Sequence, residues 1–160
     1  VKLVSATEMD IPFAESLVIH NMDPYFREYG MNWDPDRFRE NWAQAIPLIL
    51  ESEGSRAGYV SLVMDDTCTY IRDLQIVAAH QGKGIGSWVM RQVEQMSRDR
   101  NLFKLRLRTF HSSPATTFYR KLGFEIKKYE EATVGMEKVL TMSCISEEAV
   151  LIGQVTSDES

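Results

Sequence analysis

The stretch LQIVAAHQGKGIG, residues 74–86, runs from an apolar, strand-like half into a glycine-rich turn and then into a helical pattern. In the turn Gln81-Gly82-Lys83-Gly84-Ile85-Gly86, closely spaced glycines let the backbone approach a ligand in conformations that side chains forbid. At a helix N-terminus the free N–H groups and the helix dipole favour phosphate. One reading is therefore a phosphate cradle. The other is a tight strand-to-helix connection with no ligand. Two familiar nucleotide loops do not fit. No glycine stands upstream at the spacing that a Walker A motif, GxxxxGK[ST], requires, and Ser87 occupies the place of the third glycine in GxGxxG.

Downstream of the turn, Ile85, Val89, Val93 and Met96 recur at about four residues, as one face of a helix. FKLRLRTF (103–110) reads as a strand with Leu105 and Leu107 on one face. Ser113-Pro114 opens a helix that Gly123 closes, and FEIKKY and VGMEKVL form a final hairpin. Upstream, PLILESE, RAGYVSLVMD and TCTYIRDLQIV are three strands joined at Gly54-Ser55 and Asp65-Asp66, an antiparallel meander. The chain begins with a strand, Lys2 to Ala6. A helix capped by Thr7 follows, with Ile11, Ala14, Leu17 and Val18 on its apolar face, and it is expected to fade near His20 and Asn21. The aromatic stretch HNMDPYFREYGMNWD reads as an irregular loop. Asp34-Pro35 then starts a second helix, which Pro47 limits. The order is β-α-α-β-β-β-α-β-α-β-β, an α+β (mixed α/β) fold. Residues 1–140 are expected to form a single domain and 141–160 an extension of unknown role.

A 160-residue chain that is 44% hydrophobic and 26% charged suits one domain. No apolar run approaches the roughly 20 residues needed to cross a bilayer, so no membrane partner is expected. VKLVSATEMD lacks the layout of a signal peptide, and a cytoplasmic location is expected. Cys68 and Cys144 are far apart, and the three histidines have no ligand-like spacing, so no metal is expected. A net charge of −5 argues against a nucleic-acid partner. It does not exclude a polyanionic cofactor held by backbone amides.

Read with its flanks, LQIVAAHQGKGIG resembles the acyl-CoA motif of the GNAT superfamily of N-acetyltransferases. Gln81, Gly84 and Gly86 fit its Q/R-x-x-G-x-G/A positions, and Leu74 and Ile76 fit its apolar strand positions. SPATTFYRKLGFE (113–125) is similar to the second family motif, through Ala115, Phe118-Tyr119, Leu122, Gly123 and Phe124. The element order along 1–140 agrees with the family's central sheet, mostly antiparallel and flanked by helices. The resemblance implies acetyl-CoA as cosubstrate. The backbone of Leu74, Gln75 and Ile76 would pair with the pantetheine arm in an opening between the fourth and fifth strands. Gln81 and the amides of Gly82, Lys83, Gly84, Ile85, Gly86 and Ser87 would hold the pyrophosphate, and Tyr119 would protonate or steady the departing thiolate. Three positions depart from the family pattern. Ser112 replaces a frequent Asn at a cofactor contact, Ala78 replaces a frequent Pro, and Arg72 replaces a Glu that serves many relatives as base. Asp73 is the substitute base, and a bulge common in this strand leaves its direction open. Its alternative is a surface ion pair with a nearby arginine. A base matters because a lysine-like amine is only about 0.1% neutral near pH 7.4.

For the acceptor, an amine on a small molecule, peptide or protein, the expected wall is Tyr25, Tyr29 and Trp33, with Phe26 beside them. Half of this cluster is expected to pack in the core. Arg72, Arg106 and Arg108 are candidates for binding an acidic group, or else a solvated strand face. His111-Ser112 lacks a third partner for hydrolase chemistry. The rival readings are a non-catalytic acyl-CoA sensor or interaction module on the same fold, and a nucleotide-binding protein. A homodimer is compatible with all of these.

Overall fold

The computed structural model describes residues 1–141; the expected extension lies, Thr141 apart, outside the described residues. The elements are β1 (Lys2–Ser5), α1 (Ile11–Glu28), α2 (Pro35–Gln44), β2 (Ile46–Ser52), β3 (Ser55–Met64), β4 (Thr69–Ile76), α3 (Ile85–Asp99), β5 (Lys104–Phe110), α4 (Ala115–Lys121), β6 (Glu125–Tyr129) and β7 (Thr133–Val139). This is the order read from the sequence. One sheet runs β1-β2-β3-β4-β5-β7-β6. Every neighbouring pair is antiparallel except β4 and β5, which are parallel.

Strand alternation divides the core into two layers. Leu48, Leu50, Val60, Leu62, Leu105 and Leu107 face Val89, Met90 and Val93 of α3 and Tyr119 of α4. On the other side Ile49 and Tyr59 meet Ile11, Ala14, Leu17 and Val18 of α1 and Phe38 and Trp42 of α2. The caps follow their residues: Asp34 accepts from the backbone N–H of Arg37, and Pro35 fills the first turn of α2.

The first helix departs from expectation. It passes Pro24 and ends at Glu28, where the sequence predicts fading near His20. Pro24 removes one intrahelical hydrogen bond. Packing beyond it compensates, because Tyr25 and Tyr29 stack on Phe110 with ring centroids 5.1 and 5.5 Å away. Tertiary contacts outweigh local preference here, and much of the supposed loop is the last two turns of α1.

Candidate functional site

The parallel pair is short. β4 and β5 pair only from Thr69–Leu105 to Ile71–Leu107. At that point β4 bulges: Ser61 pairs with Asp73 and Leu62 with Ile71, leaving Arg72 extra. A bulge bends its strand and increases the twist, so β4 leaves β5 and a gap opens between them. Val77 N–H donates to Ala57 O at 2.8 Å, which fixes the alternation beyond the bulge. Gln75 and Asp73 turn their backbone groups to β3, while those of Leu74 and Ile76 face the gap. Ile76 O already accepts from Gln81 Nε2 at 2.9 Å and Asn21 Nδ2 at 3.2 Å. Leu74 and the N–H of Ile76 are left to meet a guest strand. Of the three backbone segments expected to do so, Gln75 is turned away; its side chain instead accepts from Asn21 at 3.1 Å.

The gap leads to the glycine turn. Gly82 and Gly84 have φ of +74° and +80°, values that L-residues other than Gly adopt at a cost. A β-carbon at either would meet nothing within 4 Å, so the turn opens outward. Gly84 is the N-cap of α3, and no side chain caps that helix. Its first backbone bond back is Trp88 N–H to Gly84 O at 3.1 Å. The amides of Ile85, Gly86 and Ser87 therefore have no partner within the helix and sit at its positive end. This arrangement fits a pyrophosphate.

The bulge also settles side-chain direction. Ile71 and Leu74 both join the layer facing α3 and α4. The two residues between them, Arg72 and Asp73, therefore both project toward α1 and α2. Burial raises the Asp73 carboxyl to a pKa of about 6, against the smaller opposing effects of a hydrogen bond from Gln75 and the charge of Arg72. Tyr119 is buried, packed edge-on against Phe118 and Phe124. Burial, and secondarily the negative charge of Asp73, push its phenol well above the ordinary tyrosine value. Tyr119 therefore keeps its proton at physiological pH.

Both side chains line one cavity of about 420 Å³, bounded also by Phe26, Trp33, Arg37, Phe38, Leu74 and Phe110. The expected aromatic wall is redistributed. Trp33 lines the cavity and is fixed by Nε1 donating to Glu15 at 2.8 Å. Phe26 lines it as well, whereas Tyr25 and Tyr29 lie outside the lining, stacked on Phe110. A helix explains this, since Tyr25 and Tyr29 are four residues apart on one face. Ser112 is engaged elsewhere: it accepts from the Tyr29 hydroxyl at 3.0 Å and donates to Glu28 at 3.1 Å. The sequence reading missed Asn21 and Arg37, whereas Phe26, expected beside the wall, is part of it. Asn21 was hidden by ending α1 too early. Among the described residues no three His, Cys, Asp or Glu side chains converge as a metal centre requires, and no helix is long and apolar enough to cross a membrane.

A sheet parted between parallel strands, an uncapped glycine-rich helix start and a buried tyrosine beside the gap define an acyltransferase architecture. The chain belongs to the acetyltransferase (GNAT) family, whose match spans residues 14–124 and takes in both the glycine turn and the Tyr119 segment. The fold is similar to PaiA N-acetyltransferase from Thermoplasma acidophilum, solved in complex with coenzyme A. The TM-score is 0.71 at 15% identity, over 86% of this chain and 98% of that one. It is also similar to a GNAT family acetyltransferase from Elizabethkingia anophelis with acetyl-CoA bound (TM-score 0.69, 17% identity, 87% and 97% covered). A third neighbour is the ribosomal-protein-S18-alanine N-acetyltransferase from Escherichia coli (0.70, 16%, 88% and 94%). No protein of curated function matches the sequence.

Proposed function

We propose that this protein transfers an acetyl group from acetyl-CoA to a primary amine by direct attack in a ternary complex. The observation that carries the reading is the continuity of the site. Gln81 of the glycine turn bonds Ile76 O at the gap, Leu74 of the same strand lines the cavity with Asp73 and Tyr119, and Gly86 packs on Phe118 beside Tyr119. Asp73 accepts a proton from the acceptor ammonium. The neutral nitrogen attacks the thioester carbonyl, the C–N bond forms, and the C–S bond breaks as the nitrogen sheds its second proton. Tyr119 donates its proton to the leaving thiolate and is restored by the nitrogen's second proton, while Asp73 passes the first to solvent, so one proton is released overall. Names of the neighbours add support: one holds acetyl-CoA, and another is an N-acetyltransferase for a ribosomal-protein alanine. A cytoplasmic location, where thiols such as Cys68 stay reduced, accompanies this reading.

The test is a panel of amines with acetyl-CoA, read by free CoA thiol and by acetylated product, beside calorimetry of acetyl-CoA alone. Stoichiometric thiol and N-acetyl product are expected. Tight acetyl-CoA binding with no transfer to any amine class would favour the sensor reading instead. No acetyl-CoA binding at all would remove both.

A further inference from the structure

Of the three arginines read from the sequence as anion ligands, two are already engaged. Arg106 Nε lies 2.9 Å from Glu137 and Arg108 Nε 3.0 Å from Glu130. Arg72 forms no ion pair among the described residues, and its Nη1 is buried without a hydrogen-bond partner. An unpaired buried donor is costly, more so when charged, and asks for a partner. The cavity beside Arg72 is the place where one would sit, and Arg37 of α2 also lines it. The adjoining residue on the same face is Asp73. The bulge thus presents a cation and an anion, neighbours in the chain, to the same space. An amine alone would meet Asp73 and leave Arg72 unpaired; a carboxylate alone would do the reverse. The rest of the wall is mixed: Met22, Phe26, Trp33, Phe38 and Leu107 are apolar, and Asn32, Asn41, Thr109 and the Glu130-paired Arg108 are polar.

We propose that the acceptor is a free α-amino acid, its carboxylate on Arg72 and its amine at Asp73. This rests on the acetyl-transfer reading above. The two ligand charges must be only a few bonds apart, because their partners are adjacent residues. A lysine side chain, or an N-terminal residue other than Asp or Glu within a longer chain, has no carboxylate at that distance. Arg is suited to the role, since its planar fork grips a carboxylate through two N–H groups.

The experiment compares L-leucine, L-methionine and L-phenylalanine with their amides, on the full chain. Calorimetric binding to the CoA-loaded protein and kcat/KM with acetyl-CoA are both measured. The acids are expected to exceed the amides by ~10–100-fold, the loss typical of one charge-assisted pair. Arg72→Gln should remove that preference while leaving acetyl-CoA affinity nearly unchanged, and Arg72→Lys should keep part of it. The acid–amide comparison on the unaltered protein decides the matter even if the variants fold poorly. Amides equal to acids, Arg72→Gln weakening both alike, or no amino acid bound while peptide or protein amines are acetylated would each overturn the proposal. So would a complete lack of binding. Selective binding of the acids through Arg72 without acetyl transfer would uphold the carboxylate site and overturn the transferase reading, so the two failures are distinguishable.

Discussion

Gly86 lies so close to Phe118 that a β-carbon on it would stand 3.2 Å from the ring's Cζ. The first turn of α3, with its open amides, is therefore packed directly against the helix that carries Tyr119. Gly86→Ala should gain about 0.5–1 kcal/mol in helix preference and lose a similar amount to crowding. The melting temperature is expected to stay within a few degrees. Phe118 must shift by tenths of an ångström, and Tyr119 with it, so acetyl transfer should fall several-fold. A variant with wild-type kcat/KM would show that the two segments do not depend on this contact.

Gly84 is constrained differently. Its φ of +80° is the constraint, and the space around its missing β-carbon is open. Gly84→Ala should cost about 1–2 kcal/mol of stability from backbone strain alone. Gly84→Asp has the same strain and adds a negative charge where pyrophosphate is proposed. Acetyl-CoA affinity measured by calorimetry should therefore fall at least ~10-fold further in the Asp variant. Equal affinity in the two variants would move the phosphate site away from this turn.

The path from sequence to site was uneven, for physical reasons. Glycine spacing and the apolar strand before it are local signals, so the turn, the α3 start and the element order could be read directly. The direction of Asp73 could not, because a bulge breaks the period-two rule and its place depends on pairing with Ser61 and Leu62. The end of α1 was missed because Pro24 and Gly30 are strong local punctuation, whereas Phe110, which stabilises the last turns, is far along the chain. The state of the arginines depended on partners from other strands, Glu137 and Glu130, that no local pattern discloses.

Asp73 makes a prediction in pH. Its carboxyl titrates near 6 in the folded protein, against an ordinary value of 3.8. A carboxyl raised in the folded state opposes folding once charged. Its cost is absent below about pH 3.8, grows as pH rises toward 6, and is constant above. Asp73→Asn should stabilise the fold at pH 7–8 by roughly 1–2 kcal/mol, allowing for partial exposure, and by nothing near pH 3.5. The same substitution should remove an ascending limb near pH 6 from kcat/KM. Melting curves across pH with an unchanged Asp–Asn difference would show that Asp73 is charged, or neutral, in both states throughout.

Tyr119→Phe keeps the buried ring between Phe118 and Phe124 and deletes only the hydroxyl. Stability and acetyl-CoA affinity should change little. Single-turnover acetyl transfer should slow by ~10²–10⁴-fold if the phenol supplies the thiolate's proton. An unchanged chemical step would take Tyr119 out of the reaction and leave it as a wall of the cavity.

Trp33 joins packing and recognition. Its ring is tilted against Phe26 and Phe38, with centroids 6.1 and 5.3 Å away, and its Nε1 donates to Glu15. One face lines the cavity. Full burial would make Trp33→Ala cost about 3–5 kcal/mol; half-buried, it should cost about 1–3 kcal/mol, part of it from leaving the Glu15 carboxylate without its donor. Trp33→Phe retains most of the apolar wall and loses the indole N–H, so it separates the two contributions. Acceptor kcat/KM should fall ~10-fold or more in the Ala variant and much less in the Phe variant, with acetyl-CoA affinity equal in all three proteins. That affinity is the control, since the donor is assigned to the gap and the glycine turn. Normal acceptor kinetics in the folded fraction of Trp33→Ala would reduce Trp33 to a packing residue and leave Phe26 and Phe38 to define the apolar side of the acceptor.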